Sequence, residues 1–368
     1  MIKKLLLLCV VVLSVIVIVA CDKAPEYSDE LREEVTTRVE VILDGILANL
    51  PEEVAELLDA AGIAENILDA AADARISEAA ILEIIEFIDG LIEADFTEND
   101  PMTTMLQLVS DIDDLIVTNE QVATFLWYFT YYIVDTVDAV FDALGIPGAN
   151  AYMELVDEVL AQGKNDFVLV LTAYFDLMLV SASADMDVVD MIAGIIYGDL
   201  VPTSAQFTSL VNTVLGELRD VLTIITPQVF NAATNYFLIF SANFNEDHEY
   251  VVEIVELAVE HFAAVRTSLL AVVNGFTPAM TNFLFAVLNS DDADPLQIVL
   301  LVARLADIAT SARNGISLAT IIELSGLDVT VAQLQAAIEY LAGLDLNINT
   351  VIDWSHPSLA FVQDVIAG

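Results

Sequence analysis

The chain has 368 residues, 57% of them hydrophobic, and sets 57 acidic against 11 basic side chains, for a formal net charge of −46. So acidic a body repels phosphate backbones and anionic lipid surfaces. That excludes nucleic acid as a partner class and leaves charge unable to hold the protein to a membrane. The acid excess fits either salty surroundings, where screening removes self-repulsion, or a cationic partner; the environmental reading is favoured.

The first element is a leader. Met1-Ile2-Lys3-Lys4 opens the chain, and Leu5 to Ala20 is an apolar run with no charge. A short basic start followed by such a run is the pattern of a secretory signal, and it is short for a span, which needs about 20 apolar residues. The run ends Ile18-Val19-Ala20-Cys21. A small residue directly before cysteine resembles the lipobox of bacterial lipoproteins, although Val19 stands where a smaller residue is more usual. The resemblance covers these residues alone. It implies cleavage before Cys21, lipid on the Cys21 sulfur, and a protein held outside the cytoplasm at the cell surface or on a periplasmic face. One acyl chain binds a membrane only marginally, so firm anchoring implies two or more chains such as palmitate. The division expected is 1–20 signal peptide, 21–27 lipidated cysteine and tether, and 28–368 an acidic helical domain, with weak candidate boundaries near 147 and 202. The other cysteine, Cys9, lies in the leader, so the mature domain holds itself together without disulfides.

From residue 28 onward helix signals recur. Pro51 starts an acidic turn that Gly62 is expected to stop. Asp100-Pro101, Thr226-Pro227, Thr277-Pro278 and Asp294-Pro295 each place a capping side chain before a proline suited to the first helical turn. Thr118 with Gln121, Thr203 with Gln206 and Thr330 with Gln333 have capping-box spacing. Gly145, Gly163, Gly198, Gly315, Gly326 and Gly343 fall where helices should end. Two long uncharged stretches, Val221 to Asn245 and Thr267 to Ser290, are each broken by proline and asparagine, and read as helix, turn and helix rather than as membrane spans. About 14 helices and no hairpin are expected, with Leu344 to Trp354 as a loop or short strand. The fold class is therefore all-α, an irregular multi-helix bundle. The alternative is a solenoid-like stack of helix pairs. It rests on two faint echoes, Ile42–Leu47 with Phe87–Ile92 and Thr234-Asn235-Tyr236 with Thr281-Asn282-Phe283.

Few constellations carry chemistry. Glu249, Glu253, Glu256 and Glu260 lie on one helical stripe with His248 and His261 near its ends. Neither histidine has glutamate three residues before it, as a di-iron helix requires, so the stripe reads as a solvated face. His356, before Pro357, reads as a turn residue. Residues 243–247 and 289–294 offer oxygen ligands but lack the EF-hand glycine and glutamate, and read as caps of the helices that follow. Residues 317–343 look like a helix-turn-helix with Gly326 at the turn; they hold no basic residue, so they read as a packed helical hairpin rather than a DNA reader. No catalytic or phosphate-binding signature is present, and no cofactor or metal is expected. The densest aromatic segment is Phe125, Trp127, Tyr128, Phe129, Tyr131 and Tyr132, which is core by default and otherwise one wall of an apolar pocket.

The function expected is that of a lipid-anchored binding or scaffold module of the cell envelope, not an enzyme. Its partners would be the membrane, through Cys21, and an envelope protein. The alternative is a carrier or receptor for an apolar ligand, and a carboxylate-based enzyme has the least support.

Overall fold

The structure, a computed structural model, describes residues 27–47, 57–82, 118–146, 148–182, 194, 202–244, 248–289, 295–347 and 350–362. The chain is an all-α, multi-helix protein, and no strand occurs among the described residues. The helices with described bounds are α1 (Asp29–Leu47), α2 (Ala60–Asp73), α3 (Asn119–Leu144), α4 (Ala149–Ala161), α5 (Lys164–Ala182), α6 (Ser204–Ile224), α7 (Pro227–Phe244), α8 (His248–Gly275), α9 (Pro278–Leu288), α10 (Pro295–Ser311), α11 (Leu318–Ser325) and α12 (Val331–Ala342). A 3₁₀ turn at Pro357–Leu359 follows. The chain divides into two compact units, residues 1–183 with 231–252 and residues 184–230 with 253–368.

In the first unit the core follows from helical periodicity. Leu31, Val35, Val39 and Leu43 recur every four residues on α1, so one stripe is buried. It shares one core with Ala64, Ile67, Leu68 and Ala71 of α2 and Val122, Phe125, Leu126 and Phe129 of α3. The alanines of α2 let its neighbours approach closely. Polar groups pin the ends. The Tyr27 hydroxyl donates to the Ile76 carbonyl (2.8 Å), and the buried Gln121 amide donates to the Arg75 carbonyl (3.2 Å), satisfying an oxygen left open beyond α2.

Among the described residues the second unit has two cores. Leu300 and Ala303 of α10 pack with Ala337 and Leu341 of α12, and with Ile352 and Leu359. Met280, Phe283 and Val287 of α9 pack with Leu301 of α10. Scarce cations are placed on helix-end oxygens: Arg266 Nε donates to the Leu222 carbonyl (2.6 Å), and Arg304 Nη1 to the Ala342 carbonyl (3.1 Å). Each meets the negative end of a helix, where a positive charge is favoured. Phe230 and Phe262 stack with centroids 3.9 Å apart.

All three expected capping boxes form, at Thr118/Gln121, Thr203/Gln206 and Thr330/Gln333. Thr226 and Thr277 accept N–H groups of the helices their prolines open. Gly145 and Gly326 take left-handed φ at the ends of α3 and α11, and Gly163 does so between α4 and α5. The break after Val221 falls between α6 and α7. The stretch from Thr267 bends by 86° between α8 and α9. The described residues of Leu344 to Trp354 form a loop.

Three expectations are corrected. Gly62 does not stop a helix; it is the third residue of α2, and its N–H donates to the Asp59 carboxylate (3.1 Å), which caps the start. Asn243 and Asn289 serve the helices that precede them: their amides donate to the Ile239 and Phe285 carbonyls (both 2.9 Å), satisfying last-turn oxygens. Gly315 lies beyond the end of α10, where Asn314 takes the left-handed conformation (φ 61°). The second echo also joins unlike places, since Thr234 lies mid-helix in α7 and Thr281 in the first turn of α9. In the first echo Phe87–Ile92 lies outside the described residues, as do Cys21, Pro51, Asp100-Pro101, Gly198 and residues 245–247 and 290–294.

Three tyrosines make alkaline pH destabilising. Burial holds the Tyr27 phenol well above its usual range. The Tyr132 phenol is raised by its hydrogen bond to the Asp73 carboxylate and then by burial, and burial pushes Tyr236 up to about 12. A raised folded pKa means the folded state binds the proton more tightly. Its contribution is complete below the unfolded value of about 10 and is lost as pH rises through the folded values. Stability from urea titrations should therefore fall between about pH 10 and about pH 12. Tyr27→Phe should cost about 1 kcal/mol at neutral pH and shrink that fall. An unchanged pH profile in the variant would remove Tyr27 from the account.

Candidate functional site

The aromatic segment of α3 is divided by the helix's own geometry. Phe125 and Phe129, four residues apart, stack at 5.5 Å inside the first core and are 0% and 2% exposed. Trp127 is also buried, and its ring meets Phe167 of α5 at 5.3 Å. Tyr128 and Tyr132 are half-buried and stacked at 6.1 Å, and Tyr131 is exposed. The outer tyrosines use their polar tips: Lys164 Nζ lies 3.2 Å from the Tyr128 hydroxyl, and the Tyr132 hydroxyl donates to Asp73 Oδ2 at 2.5 Å. This is how amphipathic aromatic rings usually behave at the edge of a core, apolar body inward and hydroxyl outward.

The four glutamates of α8, Glu249, Glu253, Glu256 and Glu260, are all exposed. His248 Nδ1 lies 3.2 Å from the buried Ser241 hydroxyl, and His261 is half-buried. Among the described residues no three His, Cys, Asp or Glu side chains converge as a metal site requires. His356 caps the 3₁₀ turn, its Nδ1 accepting the Ser358 N–H (3.3 Å), and its ring stacks on Tyr340 at 3.9 Å. Just before that turn, Asp353 Oδ1 accepts from the hydroxyl and the N–H of Ser355. Those bonds hold its carboxyl below the usual range. The segment 317–343 is the helical hairpin expected, α11 and α12 meeting around Gly326; no side chain of α11 is buried, and no Lys or Arg lies between them.

The sequence reading missed one surface. On α8 the apolar residues are not all turned inward. Tyr250, Ile254 and Leu257 are 65%, 50% and 48% exposed, beside the glutamate stripe. Their spacing of four and three was legible. What hid them was the assumption that an amphipathic helix has only one apolar face and buries all of it.

Fold and composition together define an all-α, strongly acidic protein. Comparison of the chain with protein-family models, curated proteins and solved structures found no match. Among the described residues no single helix is long and apolar enough to cross a membrane; α8 and α9 pass that test only as a bent pair.

Proposed function

We propose that the protein is a lipid-anchored binding or scaffold module of the cell envelope, held to its membrane through Cys21. The observation that carries this reading is the leader: Lys3-Lys4, the uncharged run from Leu5, and Ala20 directly before Cys21. The thiolate of Cys21 is the attachment atom, and the small Ala20 suits a cleavage site. A helical body with exposed helix faces supports a role in binding partners, and burial of Phe125, Trp127 and Phe129 supports a core role for the aromatic segment over a ligand wall.

The test is the mass of the mature N-terminal peptide together with membrane fractionation. Wild-type protein should yield a peptide beginning at Cys21 and carrying lipid. Cys21→Ser should remain uncleaved at this bond and unlipidated, and removal of residues 1–21 should release the body from the membrane fraction. An unmodified Cys21 in the wild type would sink the lipoprotein reading. A truncated protein that resists alkaline wash would point to an anchor elsewhere in the chain.

A further inference from the structure

The exposed face of α8 has the spacing of a coiled-coil seam. Tyr250, Ile254, Leu257 and His261 follow one another at four, three and four residues, the alternation of d and a positions in a heptad. In that register Glu253 and Glu260 occupy g positions, and Glu249 and Glu256 occupy the adjoining c positions. All four carboxylates thus lie along one flank of the seam. The other flank, Val251, Val255, Ala258 and Phe262, faces the protein: Val255 is buried, and Phe262 stacks on Phe230. The seam runs between a packed face and an acidic one, with three large apolar side chains about half exposed or more.

We propose that this seam docks an amphipathic helix of a partner protein that carries Lys or Arg along its own flank. The apolar stripe of the partner would cover Tyr250, Ile254 and Leu257, and its cations would lie against Glu253 and Glu260. In coiled coils the a and d side chains supply the buried area, and charges at the neighbouring e and g positions choose the partner. Complementarity of charge fixes the kind of occupant. A second copy of this chain would bring its own net charge of −46 and its own Glu253 and Glu260 to the seam, and an anionic bilayer would be repelled likewise. The proposal deepens the binding-module reading and is independent of the lipid on Cys21.

The experiment titrates the protein lacking residues 1–21 with a synthetic helix of three or more heptads, leucine at a and d and lysine at e and g. A matched peptide with glutamate at e and g is the control. Tight binding of the lysine peptide alone is expected, weakening as salt is raised. Ile254→Gln and Leu257→Gln should each reduce affinity about tenfold or more, as loss of a central apolar anchor does. Both sites are exposed, and circular dichroism checks that the variants keep their helices. Val331→Gln, an exposed apolar position in another helix, should bind as wild type does. Equal binding by wild type and both seam variants would reduce the interaction to diffuse charge and overturn the proposal. Equal binding of the glutamate peptide would overturn the charge argument. Self-association in sedimentation, abolished by Leu257→Gln, would assign the seam to a second copy instead. None of these outcomes bears on whether Cys21 is lipidated.

Discussion

Phe125→Ala is expected to cost about 3–5 kcal/mol of folding stability, a large share of the roughly 5–15 kcal/mol that holds most domains together. The ring is fully buried and stacks on Phe129, in the core that α3 shares with α1 and α2. Truncation removes the transfer energy of the ring and leaves a cavity that helices on two sides cannot both move to fill. The loss should appear in a denaturant titration as a lower midpoint with little change in slope. Tyr131→Ala, on the same helix but 59% exposed, should shift stability by no more than about 0.5 kcal/mol. The contrast tests what the segment is for. If Phe125 lined a ligand cavity, the site would already have empty space, and truncation would cost far less. A loss below about 1 kcal/mol would overturn the core assignment and revive an apolar-ligand role.

Local signals were legible where the chemistry is confined to a few neighbouring residues. A Thr side chain reaching an N–H three residues on needs nothing from the rest of the fold, so the boxes at Thr118, Thr203 and Thr330 were readable from spacing. Gly326 was readable for the same reason: a left-handed cap favours the residue without Cβ. Errors arose where two local solutions compete. Gly62 has the composition of a stop, but Asp59 before it captures the N–H groups of Ala61 and Gly62, and the helix begins there instead. Asn243 is in the last turn of α7 and Asn289 directly follows α9, each a few residues before the next helix, and an asparagine can donate to a C-terminal carbonyl as readily as it can accept an N-terminal N–H. Which end wins depends on how the two helices approach, and spacing does not carry that. The α8 seam was missed for a different reason. Apolar periodicity shows which residues share a face but not whether another helix arrives to cover it, and Tyr250, Ile254 and Leu257 are left uncovered. The aromatic segment was half legible: its apolar weight placed α3 in a core, but that Tyr128 and Tyr132 would turn their hydroxyls toward Lys164 and Asp73 depends on residues far along the chain.

Gly315→Ala is expected to cost about 2–4 kcal/mol, although its φ is not left-handed and an alanine backbone could adopt it. The cause is crowding. A Cβ there would lie 2.6 Å from the Ser268 hydroxyl, 3.0 Å from the Ala309 carbonyl oxygen and 3.0 Å from the Ala312 Cβ. The hydroxyl has nowhere to go. It donates to the Ala309 carbonyl (2.8 Å) and accepts the Ile316 N–H (2.8 Å), tying α8 to the loop after α10, and Ser268 is 4% exposed. An added methyl either strains the loop or breaks these bonds and leaves part-buried polar groups unpaired. Ser268→Ala alone should cost about 1–3 kcal/mol by stranding the Ile316 N–H. The same change removes the oxygen the new methyl strikes, so the two substitutions share one cause. Together they should cost less than the sum of the single losses by about 0.5–3 kcal/mol, a coupling that a double-mutant cycle in urea measures directly. Additivity within about 0.3–0.5 kcal/mol would mean that the loop relaxes away from Ser268, and the absence of a side chain at Gly315 would then have another cause.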